Sequence, residues 1–202
     1  MADIVFSDSQ KDALQEIGNI CAGNAATALS QLLNKKINIV VPRILLVRLE
    51  DVPMVVGGPD TLVAGLILKV LGDLPSHILF IFSQRDALIL ASLLTGKKVT
   101  ESGILGRLET SALKEIGVIL ASSYLGALGN FLGMGLVPAV PELIVDMAGS
   151  MIDYILIELS CNSEFALLIE SEFKEPQASI TGHFFLIPNV SALDAILKAI
   201  NK

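Results

Sequence analysis

Asp12, Glu16, Asn19 and Gly23 are separated by four, three and four positions, a spacing that puts them in one line on a helix face. The line offers a carboxylate, a side-chain amide one turn further on, and a glycine that leaves room for another surface. Acid–base glycoside hydrolysis needs two facing carboxylates, which a Glu–Asn pair does not provide. The two histidines, His77 and His183, occupy equivalent strand starts and read as structural, so a Ser-His-Asp or Cys-His arrangement is poorly supplied. Gly57-Gly58-Pro59 reads as a turn and not as a phosphate-cradling loop, and no cluster has metal-ligand spacing. An exposed Glu–Asn pair suits a substrate that brings most of its own machinery, such as an aspartyl phosphate on another protein. That protein already holds a metal ion and a lysine around the phosphoryl group. The remaining task is to place one water in line, which an amide can do without a strong base. The carboxylate would then pair with a partner cation and fix the register of docking. Spacing alone leaves a second reading open, that of an ordinary solvated helix face.

The line occurs twice. Asp12-Ala-Leu-Gln-Glu16-Ile-Gly-Asn19 is echoed by Ser111-Ala-Leu-Lys-Glu115-Ile-Gly-Val118, and Pro42 by Pro141. Ala13 to Leu29 lies over Ala112 to Leu128, with Ala, Leu, Glu, Ile and Gly recurring in place. The second copy keeps the carboxylate and loses the amide, since Val118 cannot hydrogen-bond a water. Asn130 lies too far along to replace it. One working site per chain is expected.

The elements that must carry these residues repeat as well. One domain spanning residues 1–202 is expected, built of two repeats at about 8–105 and 107–202. In the first, Asp8 or Ser9 can cap a helix running to about Leu33. Leu14, Ile17, Ile20, Cys21, Ala25, Ala28 and Leu29 are expected to point inward. Strands are expected at Ile44–Glu50, Thr61–Leu71 and Ser76–Phe82. In the second, a helix over about Leu108–Leu132 precedes strands at Met151–Leu159, Glu164–Glu172 and His183–Ile187, with Asn162-Ser163 as a hairpin turn. The fold class is α+β: a pseudo-two-fold, mainly antiparallel sheet of about six strands with long helices packed on it.

Composition narrows the partners. The 202 residues are 52% hydrophobic, which allows an ample core. A net charge of −7 without any basic run argues against nucleic acid. Ile116 to Pro141 holds no charged residue, yet its glycines and prolines read as a buried helix running into a loop, so no membrane insertion is expected. Cys21 and Cys161 read as buried, reduced thiols, and the N-terminus shows no signal-peptide pattern; both suit a cytoplasmic protein.

The pattern Asp/Ser-x3-Glu-x2-Asn-x22-Pro, duplicated in a chain of this length, resembles the CheC group of chemotaxis phosphatases, relatives of CheX and FliY. The surrounding Leu14 to Leu29 and Pro141 to Gly149 segments carry the same resemblance across the chain. It implies hydrolysis of the aspartyl phosphate of the response regulator CheY. Asn19 would orient the attacking water, and Glu16 would bridge to the regulator's active-site lysine. Asp12 and Pro42 would support the site through helix-face contact and loop geometry. Ser111, Glu115, Val118 and Pro141 would form a degenerate second site. No cofactor is expected on this chain, because Mg2+ would arrive on the phosphorylated partner. The resemblance also implies binding of the receptor deamidase CheD, with Asp146 and the segment to Gly149 as the contact; a loop capping the next strand is the alternative for that segment. The internal repeat favours a monomer. A non-catalytic adaptor that binds the regulator or CheD is the rival reading.

Overall fold

The computed structural model describes residues 7–96, 105–158, 165–175 and 178–200. Two 26-residue helices, α1 (Asp8–Leu33) and α4 (Arg107–Leu132), pack against each other and supply the platform on which both copies of the polar line are displayed. Ser7 caps α1, one residue before the expected Asp8 or Ser9. Its hydroxyl accepts from the Gln10 N–H, and the Gln10 side chain accepts from the Ser7 N–H at 2.7 Å, a reciprocal box that satisfies two orphan donors. Asn34 closes the helix in the left-handed region, at φ 49°, and Gly133 closes α4 the same way.

Between and after these helices run β1 (Asn38–Arg48), α2 (Val52–Val55), β2 (Leu62–Gly72), β3 (Ser76–Ser83) and α3 (Gln84–Thr95) in the first half. The second half has β4 (Leu136–Pro138), β5 (Glu142–Met147), α5 (Ala148–Glu158), β6 (Phe165–Glu175), β7 (Ala178–Pro188) and α6 (Val190–Ile200). All described pairings are antiparallel, in the order β1-β6-β7-β3-β2-β4, with β5 also pairing β2. β4 and β5 lie along the same edge of β2, so together they occupy the sixth position of the sheet as one interrupted strand.

The pseudo-two-fold is visible in the register. Ser76 faces Pro188 and Phe82 faces Gly182, with Leu79 and Phe185 paired at the centre. Each half lends its edge strand to the other: β1 pairs β6, and β5 pairs β2. One face of the sheet is covered by α1, α3, α4 and α6 around Leu66, Ile78, Phe80, Leu120 and Phe184. The other face carries a smaller core beneath α2 and α5, built on Leu79, Ile81, Met151, Ile155 and Phe185.

Three expectations are corrected. The strand expected at Met151–Leu159 is not found over its described residues: Ala148, Met151, Ile152 and Ile155 are buried at helical spacing, and the chain from Ala148 to Glu158 forms α5. The strand of that half lies earlier, in β4 and β5, where a loop was expected. β1 begins at Asn38, six residues before Ile44. The Asn162-Ser163 turn and Cys161 lie outside the described residues. α4 is long and apolar enough to cross a membrane by length and composition, but 50% of its apolar window is buried inside the protein.

Candidate functional site on helix α1

Asp12, Glu16, Asn19 and Gly23 are all exposed on α1, along its outer face. Leu14, Ile17, Cys21, Ala25 and Leu29 are buried beneath them, and Ala28 is partly buried. Ile20 departs from the expected inward set. It is 49% exposed and stands next to Asn19, so an apolar surface borders the amide. The Asn19 amide makes no hydrogen bond to another side chain or to the backbone among the described residues. It is available to a ligand from outside.

The helix is held down from below. An alanine Cβ at Gly18 would lie 2.7 Å from Ile44 Cδ1 and 3.4 Å from Val41 Cγ1, so the glycine is what lets α1 rest directly on β1. The Cys21 thiol points toward the Tyr124 carbonyl on α4, 3.6 Å away. Desolvation pushes this thiol up to about 12, a burial that leaves it protonated and inert. Tyr124 donates to or accepts from Ser171 Oγ at 2.7 Å, and its ring stacks on Phe184 at 4.4 Å. Burial likewise raises its phenol.

Pro42 lies inside β1, where the register with β6 slips. Val40 faces Glu172 and Arg43 faces Glu170, so Val41 and Pro42 together oppose Ser171. Proline has no N–H to give to a ladder, and a bulge is where a strand tolerates it. Gln15, which the spacing of the polar line does not single out, donates its side-chain amide to the Val41 carbonyl at 2.8 Å. The only hint in the sequence was that its repeat counterpart is a lysine, Lys114.

The second copy is displayed on α4 in the same manner. Ser111 and Glu115 are exposed, and Ser111 Oγ donates to the Arg107 carbonyl at 2.9 Å. Val118 is 38% exposed in the place corresponding to Asn19. Pro141 is buried in the gap between β4 and β5, so both motif prolines interrupt an edge strand. Asp146 is exposed in β5 opposite Val63, and Ala148 then starts α5. The Asp146 segment is therefore a strand end leading into a helix, and not a loop capping a strand. His77 and His183 lie in β3 and β7 on the face away from α1. Among the described residues, no three His, Cys, Asp or Glu side chains cluster as metal ligands.

The comparisons with known proteins agree with this arrangement. The CheC-like family model matches residues 10–46, the stretch that holds the α1 line and the bulge. The CheY-P phosphatase CheC of Bacillus subtilis (strain 168) is 35% identical over 199 residues, covering 96% of this chain and 95% of that protein. The crystal structure of Thermotoga maritima FliY superposes with a TM-score of 0.78 at 20% identity, over 98% of both chains. CheX in the CheX–CheY–BeF3–Mg2+ complex of Borrelia burgdorferi shares the fold at a TM-score of 0.54 and 18% identity, over 86% of this chain and 96% of that one. With the duplicated line, the antiparallel sheet and a near full-length relative all in agreement, the chain belongs to the CheC-like family.

Proposed function

We propose that this chain is a phosphatase of phosphorylated CheY with one working site, on α1. The observation that carries the reading is the asymmetry between two otherwise matching helix faces. Glu16 and Asn19 stand together and exposed on α1, whereas α4 presents Glu115 beside Val118. The regulator would lay its phosphorylated aspartate against α1, with Ile20 giving an apolar footing beside the amide. Mg2+ held by the regulator would neutralise charge on the phosphoryl group. Asn19 would hold one water in line with the phosphorus through its amide. The water oxygen bonds to phosphorus as the bond to the aspartyl oxygen breaks, releasing phosphate and a free carboxylate. Such a transfer depends on position and charge more than on a base. Glu16 would pair with the regulator's lysine and set the register. Asp12 and Pro42 support this face, through contact and through the β1 bulge.

The same reading takes the chain as a single cytoplasmic domain of two repeats, acting as a monomer, with CheD as a second partner contacted through the exposed Asp146 near the end of β5. A non-catalytic adaptor is favoured by one observation, the loss of the amide at Val118.

The decay of phosphorylated CheY, followed with the protein present and with and without CheD, separates the two. Acceleration by wild type that disappears in Asn19→Ala, with binding to BeF3-activated CheY retained, is the expected result. Tight binding without any acceleration under either condition would leave only the adaptor.

A further inference from the structure

Helix α1 meets the bulge of β1 at two points one turn apart. Gly18 lies against Val41 and Ile44, and Gln15 Nε2 donates to the Val41 carbonyl at 2.8 Å. The bulge makes this possible. Pro42 and the slipped register remove Val41 and Pro42 from one-to-one pairing with β6, and the Val41 carbonyl turns to the helix. Gln15 is the neighbour of Glu16 and sits one helical turn before Asn19, so the tie fixes the turn that displays both groups.

The second half lacks the arrangement. Lys114 holds the position of Gln15, and the strand is broken between β4 and β5. Val41 is 4% exposed, whereas its counterpart Val140, in the break between β4 and β5, is 87% exposed. The two helix faces differ in how they are anchored as well as in the amide they display.

We infer that Gln15 is a positioning residue for hydrolysis at the α1 site, acting by hydrogen-bonding the carbonyl that the Pro42 bulge frees. The inference rests on the reading of Asn19 as the water-holding group. An in-line water tolerates little displacement, and misplacement of about 1 Å costs up to about 100-fold in rate. The Gln15–Val41 tie controls that placement without touching the substrate.

The test uses Gln15→Met, which keeps the length and bulk of the side chain and removes the donor. Turnover of phosphorylated CheY is expected to fall about tenfold, with affinity for BeF3-activated CheY unchanged. Loss of folding alone would instead lower the melting temperature and leave turnover at low temperature intact. Wild-type turnover in Gln15→Met overturns the inference. Hydrogen exchange over residues 12–23 gives a readout independent of activity: faster exchange in Gln15→Met is expected, and unchanged exchange overturns the tie. If wild type itself does not accelerate the decay, the Asn19 reading has failed, and the exchange result still decides whether Gln15 anchors the helix. A second arm starts from Asn19→Ala. Adding Val118→Asn should leave turnover well below wild type, because the α4 face has no equivalent tie; full recovery overturns the inference.

Discussion

Replacing Tyr124 by phenylalanine probes the joint beneath the site. Tyr124 and Ser171 are each 2% exposed, and their hydroxyls are 2.7 Å apart. The ring is fixed independently, stacked on Phe184 at 4.4 Å and edge-on to Phe80 at 6.3 Å, so a phenylalanine ring occupies the same place. What changes is one buried hydrogen bond and the state of Ser171 Oγ, which is left without a partner. Leaving a buried hydroxyl unsatisfied costs about 1–3 kcal/mol. In a domain of this size each kcal/mol moves the melting temperature by about 2–4 °C, so Tyr124→Phe should melt about 2–12 °C lower. Ser171→Ala strands the phenol instead and should cost a similar amount. The double variant removes both hydroxyls and should be less destabilised than the sum of the singles, with a coupling of about 0.5–3 kcal/mol. Urea or thermal denaturation of the four proteins measures this directly. Wild-type stability in Tyr124→Phe, or strict additivity in the double variant, would refute the argument that this pair joins α4 to β6 opposite the β1 bulge.

Alkaline pH should weaken the fold through the same region. Cys21 is pushed from 9.0 up to about 12 by desolvation, so between those values the unfolded chain releases a proton that the folded chain retains. Stability is complete below pH 9 and falls as pH rises, by at most about 1.4 kcal/mol per pH unit for that proton. Denaturation from pH 8 to 10 should show the fall, with a shallower slope in Cys21→Ala; an equal slope would contradict it. Gly72 has φ +111° where β2 ends, and a Cβ there would meet the Gly135 backbone carbonyl. Gly72→Ala should therefore lose more than about 1 kcal/mol, and unchanged denaturation would refute the close approach.

The long helices were legible in the sequence, because a repeated stripe over many turns is the strongest periodic signal a chain can carry. The exposed placement of Asp12, Glu16, Asn19 and Gly23 followed from the same periodicity. The run from Met151 does not declare itself, because a short apolar run fits a buried strand and a buried helix equally well. Its helical burial is set by α5 lying on the second sheet face, which is a tertiary fact. The exchange of edge strands between the halves also has no local signature. Pro42 was recognisable as a motif member, but its role as the centre of a bulge depends on β6, which follows it by more than a hundred residues. Gln15 was invisible for the same reason: its partner is a carbonyl freed only once β1 has paired. Periodicity points Ile20 inward, yet it is 49% exposed on α1.

The most direct test of the central claim compares Asn19→Ala with Val118→Ala in the decay of phosphorylated CheY under single-turnover conditions. Asn19→Ala is expected to abolish the acceleration and Val118→Ala to leave it at the wild-type rate, which would place hydrolysis on α1 alone. Acceleration that survives Asn19→Ala, or that falls in Val118→Ala, would contradict it.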